Sequence, residues 1–173
     1  MFKRFSGEKL ILLVIGGFTL LVFLLIIVFA VKEGKGATQS DAISYTKGDT
    51  EKPAASIDSN LKELGKMKVS DERTAEFSIK NNGSKPLELY KLSTSCDCTF
   101  AKLDINGVIS PEFTMHSKNN WKAQLPPGET AKLFVTYRPF IMPVKGLVTR
   151  QASLNTNDPE NETLIFNINA TVE

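Results

Sequence analysis

Cys96 and Cys98, one residue apart, are the side chains best able to carry chemistry in this chain of 173 residues. In an extended segment, residues i and i+2 stand about 6.6–6.8 Å apart and point to the same face. That distance is at the far edge of what a disulfide spans. A Cys96–Cys98 bond therefore requires a local bend and is expected to be strained. Two thiols on one face could instead clamp a soft metal ion. Met115 and His116 offer a thioether and an imidazole elsewhere, and Met142 a second thioether. Such a donor mixture favours Cu(I), with zinc the poorer match. Cys96 and Cys98 could equally fill the core or a turn, with the methionines as apolar filler. A thiol-redox centre is the third possibility. It is weakened by the missing Cys-x-x-Cys spacing and helix N-terminus that usually lower a thiol pKa.

Little else in the chain has catalytic character. His116 is its one histidine, and no nucleophile motif stands beside it. The carboxylates are scattered, without a pair spaced for acid–base work. Gly16-Gly17 lies within an apolar run and is no phosphate loop. The expectation is a non-enzymatic protein with no catalytic or cofactor-binding residues. Trp121 sits in the polar stretch His116-Ser117-Lys118-Asn119-Asn120-Trp121-Lys122. An exposed aromatic there could anchor a partner, or its ring could fold back as a lid over the core. Asn82, Asn161 and Asn169 each begin an Asn-x-Ser/Thr triplet, a pattern common by chance.

The elements that position these residues read as strands. In Ala75-Glu76-Phe77-Ser78-Ile79-Lys80 apolar and polar residues alternate, the period of a half-buried strand. Asn81-Asn82-Gly83-Ser84-Lys85-Pro86 ends it with turn chemistry. Leu87, Leu89 and Tyr90 belong to the next strand. Ala131, Leu133, Val135 and Tyr137 alternate after the turn Pro126-Pro127-Gly128-Glu129, and Leu164, Phe166, Ile168, Ala170 and Val172 face one way near the end. Further strands near 64–69, 98–103 and 147–154 bring the number to about seven. No sustained helical period occurs among them. The pattern predicts an all-β, immunoglobulin-like antiparallel sandwich over residues 60–173.

The N-terminal part has a different character. From Leu10 to Val31 no charged residue occurs in 22 positions. As a helix they reach about 33 Å, enough for a hydrocarbon core of ~30 Å. The alternative is a cleaved signal peptide, since Val28 and Ala30 suit a small-residue cleavage rule. The run exceeds the usual apolar core of ~7–15 residues, which favours an uncleaved anchor. Lys3, Arg4 and Lys9 before it, opposed by Glu8, favour a cytoplasmic N-terminus. The predicted order is a stub at 1–9, a transmembrane helix at 10–31, a flexible linker at 32–59 and the sandwich outside the cytoplasmic membrane. The whole chain is +2, and 18 charges of each sign lie beyond residue 9. A near-neutral exported part has no electrostatic footprint for nucleic acid.

Several short motifs, taken in order, are similar to a known family. They are Leu64-Gly65-Lys66-Met67-Lys68-Val69, Phe77-Ser78-Ile79-Lys80-Asn81-Asn82-Gly83, Pro86-Leu87-Glu88-Leu89, Ser95-Cys96-Asp97-Cys98-Thr99, Pro127-Gly128-Glu129, Val135-Thr136-Tyr137-Arg138-Pro139 and Thr156-Asn157-Asp158-Pro159. Together they resemble the bacterial family catalogued as domain of unknown function 1573, over roughly residues 60–173. The resemblance implies an immunoglobulin-like sandwich akin to major-sperm-protein-like modules, usually exported or membrane-anchored, with no established activity. Ser110-Pro111-Glu112-Phe113-Thr114-Met115-His116 resembles an insertion of one subgroup, whose members tend to carry a second His after the strand ending near Pro139. Here that loop holds Met142 and no His.

The functional expectation is a membrane-anchored extracytoplasmic module that binds a protein or envelope partner through loops or an exposed strand edge. Copper binding through Cys96, Cys98, Met115 and His116 is the alternative, and thiol-redox chemistry the third.

Overall fold

The computed structural model describes residues 15–23, 44–117 and 120–173. The chain divides into two compact units, Met1–Asp41 and Ala42–Glu173. In the first, residues 15–23 are helical. Thr19 Oγ1 donates back to the carbonyls of Ile15 (3.1 Å) and Gly16 (2.9 Å), which satisfies a hydroxyl inside an apolar helix. Among the described residues no helix is long and apolar enough to cross a membrane. The expected stub at 1–9, positions 10–14 and 24–31 of the expected span, and 32–43 of the expected linker lie outside the described residues.

The second unit is a sandwich of two five-stranded sheets. The strands are β1 (Ala55–Ile57), β2 (Leu61–Met67), β3 (Arg73–Asn81), β4 (Leu87–Thr94), β5 (Thr99–Ile105), β6 (Val108–Ile109), β7 (Lys122–Leu125), β8 (Thr130–Tyr137), β9 (Gly146–Thr156) and β10 (Thr163–Val172). One sheet runs β1-β3-β8-β5-β6 and the other β2-β10-β9-β4-β7. All seven segments read from alternation are strands. The three additional ones, β1, β6 and β7, are edge strands of two to four residues, too short to show a period.

Two expectations are corrected. The sandwich is not wholly antiparallel, since β2 pairs in parallel with β10, with a register shift between Asn169 and Ala170. Ordered pairing also begins before residue 60. Ala55, Ser56 and Ile57, placed by the sequence in the linker, pair with Asn81, Lys80 and Ile79.

Alternation puts the apolar residues between the sheets. Phe77 and Ile79 of β3, Leu133 and Val135 of β8, Leu154 of β9 and Phe166 and Ile168 of β10 are all buried. The Phe77 and Phe166 rings, from opposite sheets, meet at 5.1 Å with a 59° tilt. Tilted contact of this kind adds to the burial of two large side chains.

Candidate functional site

β4 belongs to one sheet and β5 to the other, so the chain must turn sharply between Thr94 and Thr99. Cys96 and Cys98 lie in that corner. The Thr94 hydroxyl is shared between the carbonyls of Cys96 (3.0 Å) and Thr99 (2.8 Å), and Thr99 N–H donates to the Cys96 carbonyl at 3.2 Å. Ser95 N–H donates to Gln151 O (2.9 Å), and Gln151 N–H donates to Ser95 Oγ (3.0 Å). Arg138 N–H holds the Cys98 carbonyl at 2.9 Å. The bend brings the two Cα atoms to 5.3 Å, inside the ordinary range for a disulfide, and the sulfurs are bonded. The sequence foresaw the need for a bend, and the crossing between sheets provides it.

Cys98 is fully buried and Cys96 only partly so. Thr99 Oγ1 lies 3.3 Å from Cys96 Sγ and 3.8 Å from Cys98 Sγ. The fourth member of the cluster is Arg150, which the sequence reading passed over. Arg150 Nε–H donates to Cys98 Sγ at 3.3 Å, and the guanidinium lies 5.3 Å from the centroid of the buried Tyr137 ring. Arg150 shares parity with Ala152 and Leu154, and its Cα partner is Ile168, all three buried. The arginine thus stands on the core face of β9, at the end of the sandwich. Among the described residues no carboxylate forms an ion pair with it. A charged side chain at an inward position was the signal available in the sequence, once β9 was in register.

Closing a three-residue loop restricts the unfolded chain little. The chain-entropy relation gives about 1.6 kcal/mol, against ~3 kcal/mol for a fifteen-residue loop. The corner is already held by the hydrogen bonds above, so the cross-link is poorly explained as a staple.

Of the remaining candidates, His116 reaches this corner, at Asp97 between the two cysteines. His116 Nε2 lies 3.6 Å from Asp97 Oδ2, a pair exposed on both sides and therefore weak. Met115 is exposed, as is Met142 in the β8–β9 connection. With the two sulfurs bonded to each other, neither offers a thiolate, so the donor set Cys96, Cys98, Met115 and His116 is not assembled in this oxidised form. Among the described residues no three His, Cys, Asp or Glu side chains gather as metal ligands. Trp121 is partly buried against the core, with its ring 5.8 Å from that of Phe113, the lid arrangement and not the exposed anchor.

Arg138 braces the same end of the domain. Its guanidinium reaches Glu72 (2.6 Å) and Glu112 (3.1 Å) and lies 4.0 Å from the Phe100 ring centroid. The hydrogen bond that Arg138 donates to Glu72 raises its pKa further, against the opposing effect of burial. Beyond Arg138 the β8–β9 connection opens with a short 3-10 turn, Pro139–Ile141. Phe140, Ile141, Met142 and Val144 project from this connection, each at least 38% exposed.

Comparison with known proteins adds a family and a fold. The family described as "Protein of unknown function (DUF1573)" matches residues 55–172, from the first residue of β1 to the last of β10. No curated protein sequence matches the chain. A protein of unknown function from Porphyromonas gingivalis W83 superposes with a TM-score of 0.54 at 18% identity, over 70% of this chain and 47% of that one. The chain therefore spans about half the length of that relative. The ASH/PapD-like domain 7 of human CEP192 gives 0.47 at 14% identity, over 76% and 96% of the two chains. A family 123 glycoside hydrolase from Clostridium perfringens gives 0.49 at 11% identity, over 69% and 27%. At 18% identity the likeness to the Porphyromonas gingivalis protein concerns the fold alone.

Proposed function

The chain belongs to the DUF1573 family of proteins of unknown function, and we propose that it is a non-enzymatic, membrane-anchored, extracytoplasmic module whose immunoglobulin-like domain binds a protein partner in the cell envelope. The observation that carries this reading is the β8–β9 connection, where Phe140, Ile141 and Met142 are exposed at three consecutive positions and take no part in the core cluster. Adjacent exposed apolar side chains of this kind suit a protein contact.

Recognition by loops is better supported than strand addition. Edge strands β1, β6 and β7 are two to four residues long. The longer edge, β2, carries Lys62 and Lys66 and is interrupted at Gly65, where φ is +73°. Short, charged and kinked edges discourage pairing with another chain. The apolar connection lies at the end of the sandwich opposite the one where residues 52–55 enter, since Ala55 meets Asn81 and Asp158 there. The anchor itself rests on the uncharged run Leu10 to Val31 and on the all-round exposure of Phe18, Leu20 and Phe23 in the helical residues 15–23.

Photo-crosslinking tests the reading. The full chain with a photoreactive amino acid at Ile141, expressed in the cells that carry it, is expected to give one defined protein adduct. Replacing Phe140 and Met142 together with Ser should abolish that adduct while leaving the circular dichroism spectrum unchanged. An adduct pattern indifferent to both substitutions would overturn the proposal.

A further inference from the structure

We propose that the Cys96–Cys98 disulfide is an exchange centre for a dithiol, with Cys96 the sulfur attacked and Cys98 the leaving sulfur, received by Arg150. This inference stands on the β4–β5 corner and β9, and it is independent of the partner-binding loop.

Three observations lead to it. The cross-link closes so short a loop, in a corner already held by backbone hydrogen bonds, that fastening the fold does not account for it. The two sulfurs are also unequal, Cys98 being fully buried and Cys96 partly exposed, so an incoming thiolate reaches Cys96 first. Finally, Arg150 occupies an inward position of β9 without a carboxylate partner among the described residues and donates Nε–H to Cys98 Sγ at 3.3 Å. A guanidinium facing a neutral disulfide gains little. Facing a thiolate it gains a charge-assisted hydrogen bond, which lowers the pKa of that thiol and improves it as a leaving group. Thr99 Oγ1, within 3.8 Å of both sulfurs, can add a second donor to whichever one carries charge.

One thiolate of the dithiol attacks Cys96 Sγ and forms a mixed disulfide. The Cys96–Cys98 bond breaks, and its electron pair leaves on Cys98 as a thiolate beside Arg150. The second thiol of the dithiol, once deprotonated, attacks its partner's sulfur in the mixed disulfide, and Cys96 leaves as a thiolate. Two electrons pass from the dithiol to the protein. The dithiol becomes a disulfide, and the two protons it loses pass through water to Cys96 and Cys98 or remain in solvent, according to pH.

Dithiothreitol, acting on the full chain purified in a mild detergent, is the probe. Maleimide labelling of quenched samples follows reduction, and circular dichroism follows the fold. The wild-type disulfide is expected to be reduced while the domain stays folded. Arg150→Gln should slow that reduction by about three- to tenfold, and Arg150→Lys should recover part of the rate. Reduction that occurs only on unfolding, or a rate unchanged in folded Arg150→Gln, overturns the proposal. Should Arg150→Gln fail to fold, the pH dependence of the Cys98 thiolate's ultraviolet absorbance in Cys96→Ser, read against the variant with both cysteines replaced by Ser, decides with Arg150 in place. A midpoint clearly below the ordinary thiol value of ~8.5 supports the site, and one at or above it overturns it.

Discussion

Asp158 shows how a buried charge can belong to the scaffold. Its carboxylate accepts hydrogen bonds from Ala55 N–H (2.8 Å), Glu160 N–H (2.9 Å) and Asn161 Nδ2 (2.8 Å), and so clips β1 to the β9–β10 turn. Burial pushes its pKa up, but these hydrogen bonds outweigh it and hold the carboxyl below its ordinary range. A depressed folded-state pKa contributes stability that is complete above the unfolded value of ~3.9 and is lost as pH falls through the folded value. In thermal melts at pH 7, Asp158→Ala is expected to cost roughly 3 kcal/mol, because it leaves several donors without their charged acceptor. The gap between wild type and Asp158→Asn should narrow as pH is taken below about 4. Asn81 plays a related part, donating from Nδ2 to the carbonyls of Lys85 (2.8 Å) and Leu125 (2.9 Å). Gly83 is required nearby, since a Cβ there would run into the backbone of Lys52 and Ala54. These residues lie in stretches that carry the resemblance to the family, and the contacts they make hold the scaffold. Cys96, Cys98 and Arg150, at the other end of the sandwich, are the ones placed for chemistry.

At the scale of elements, the shortest strands depend on turn chemistry. β5 and β6 are joined by Asn106-Gly107, with φ of +53° and +85°, between the pairs Asp104↔Ile109 and Ile105↔Val108. Two positive φ angles in a two-residue loop give the turn whose twist suits a hairpin. Asn106 also donates to the Glu129 carboxylate, which ties the hairpin to the turn before β8. Gly107→Val should destabilise the domain by about 1–2 kcal/mol in denaturant titration, because a β-branched residue resists the left-handed region. The same Asn-Gly pair is a sequence signal for β6, a strand of two residues that alternation cannot reveal. β1 had no such signal. Ala55-Ser56-Ile57 is ordered by pairing with β3 and by the Asp158 clip, both distant in sequence.

For the whole molecule, the two sheets are held together by a core that alternation supplies from both sides. Phe77→Ala removes a buried ring that touches Phe166 across the interface, and a loss of about 3–5 kcal/mol in chemical unfolding is expected. The proposed anchor makes a separate prediction. The full chain should stay with membranes in alkaline carbonate, and a chain lacking residues 1–31 should be released. Release of the full chain would remove the anchor from the proposed function and leave the chemistry at Cys96 and Cys98 untouched.

What the sequence determined by itself was the alternation. A period of two needs only nearest neighbours in the chain, so the seven longer strands and the faces they bury were legible at Phe77, Leu133 and Phe166 before any contact was known. The Cys-x-Cys spacing likewise showed that a bond between those sulfurs would need a bend. Only the tertiary structure decided what lay across from them. The parallel pairing of β2 with β10 and the approach of Arg150 to Cys98 join residues that are tens of positions apart, and the inward turn of Trp121 sets it against a core drawn from both sheets. Such contacts follow from how the sheets stack and register, which local sequence does not encode.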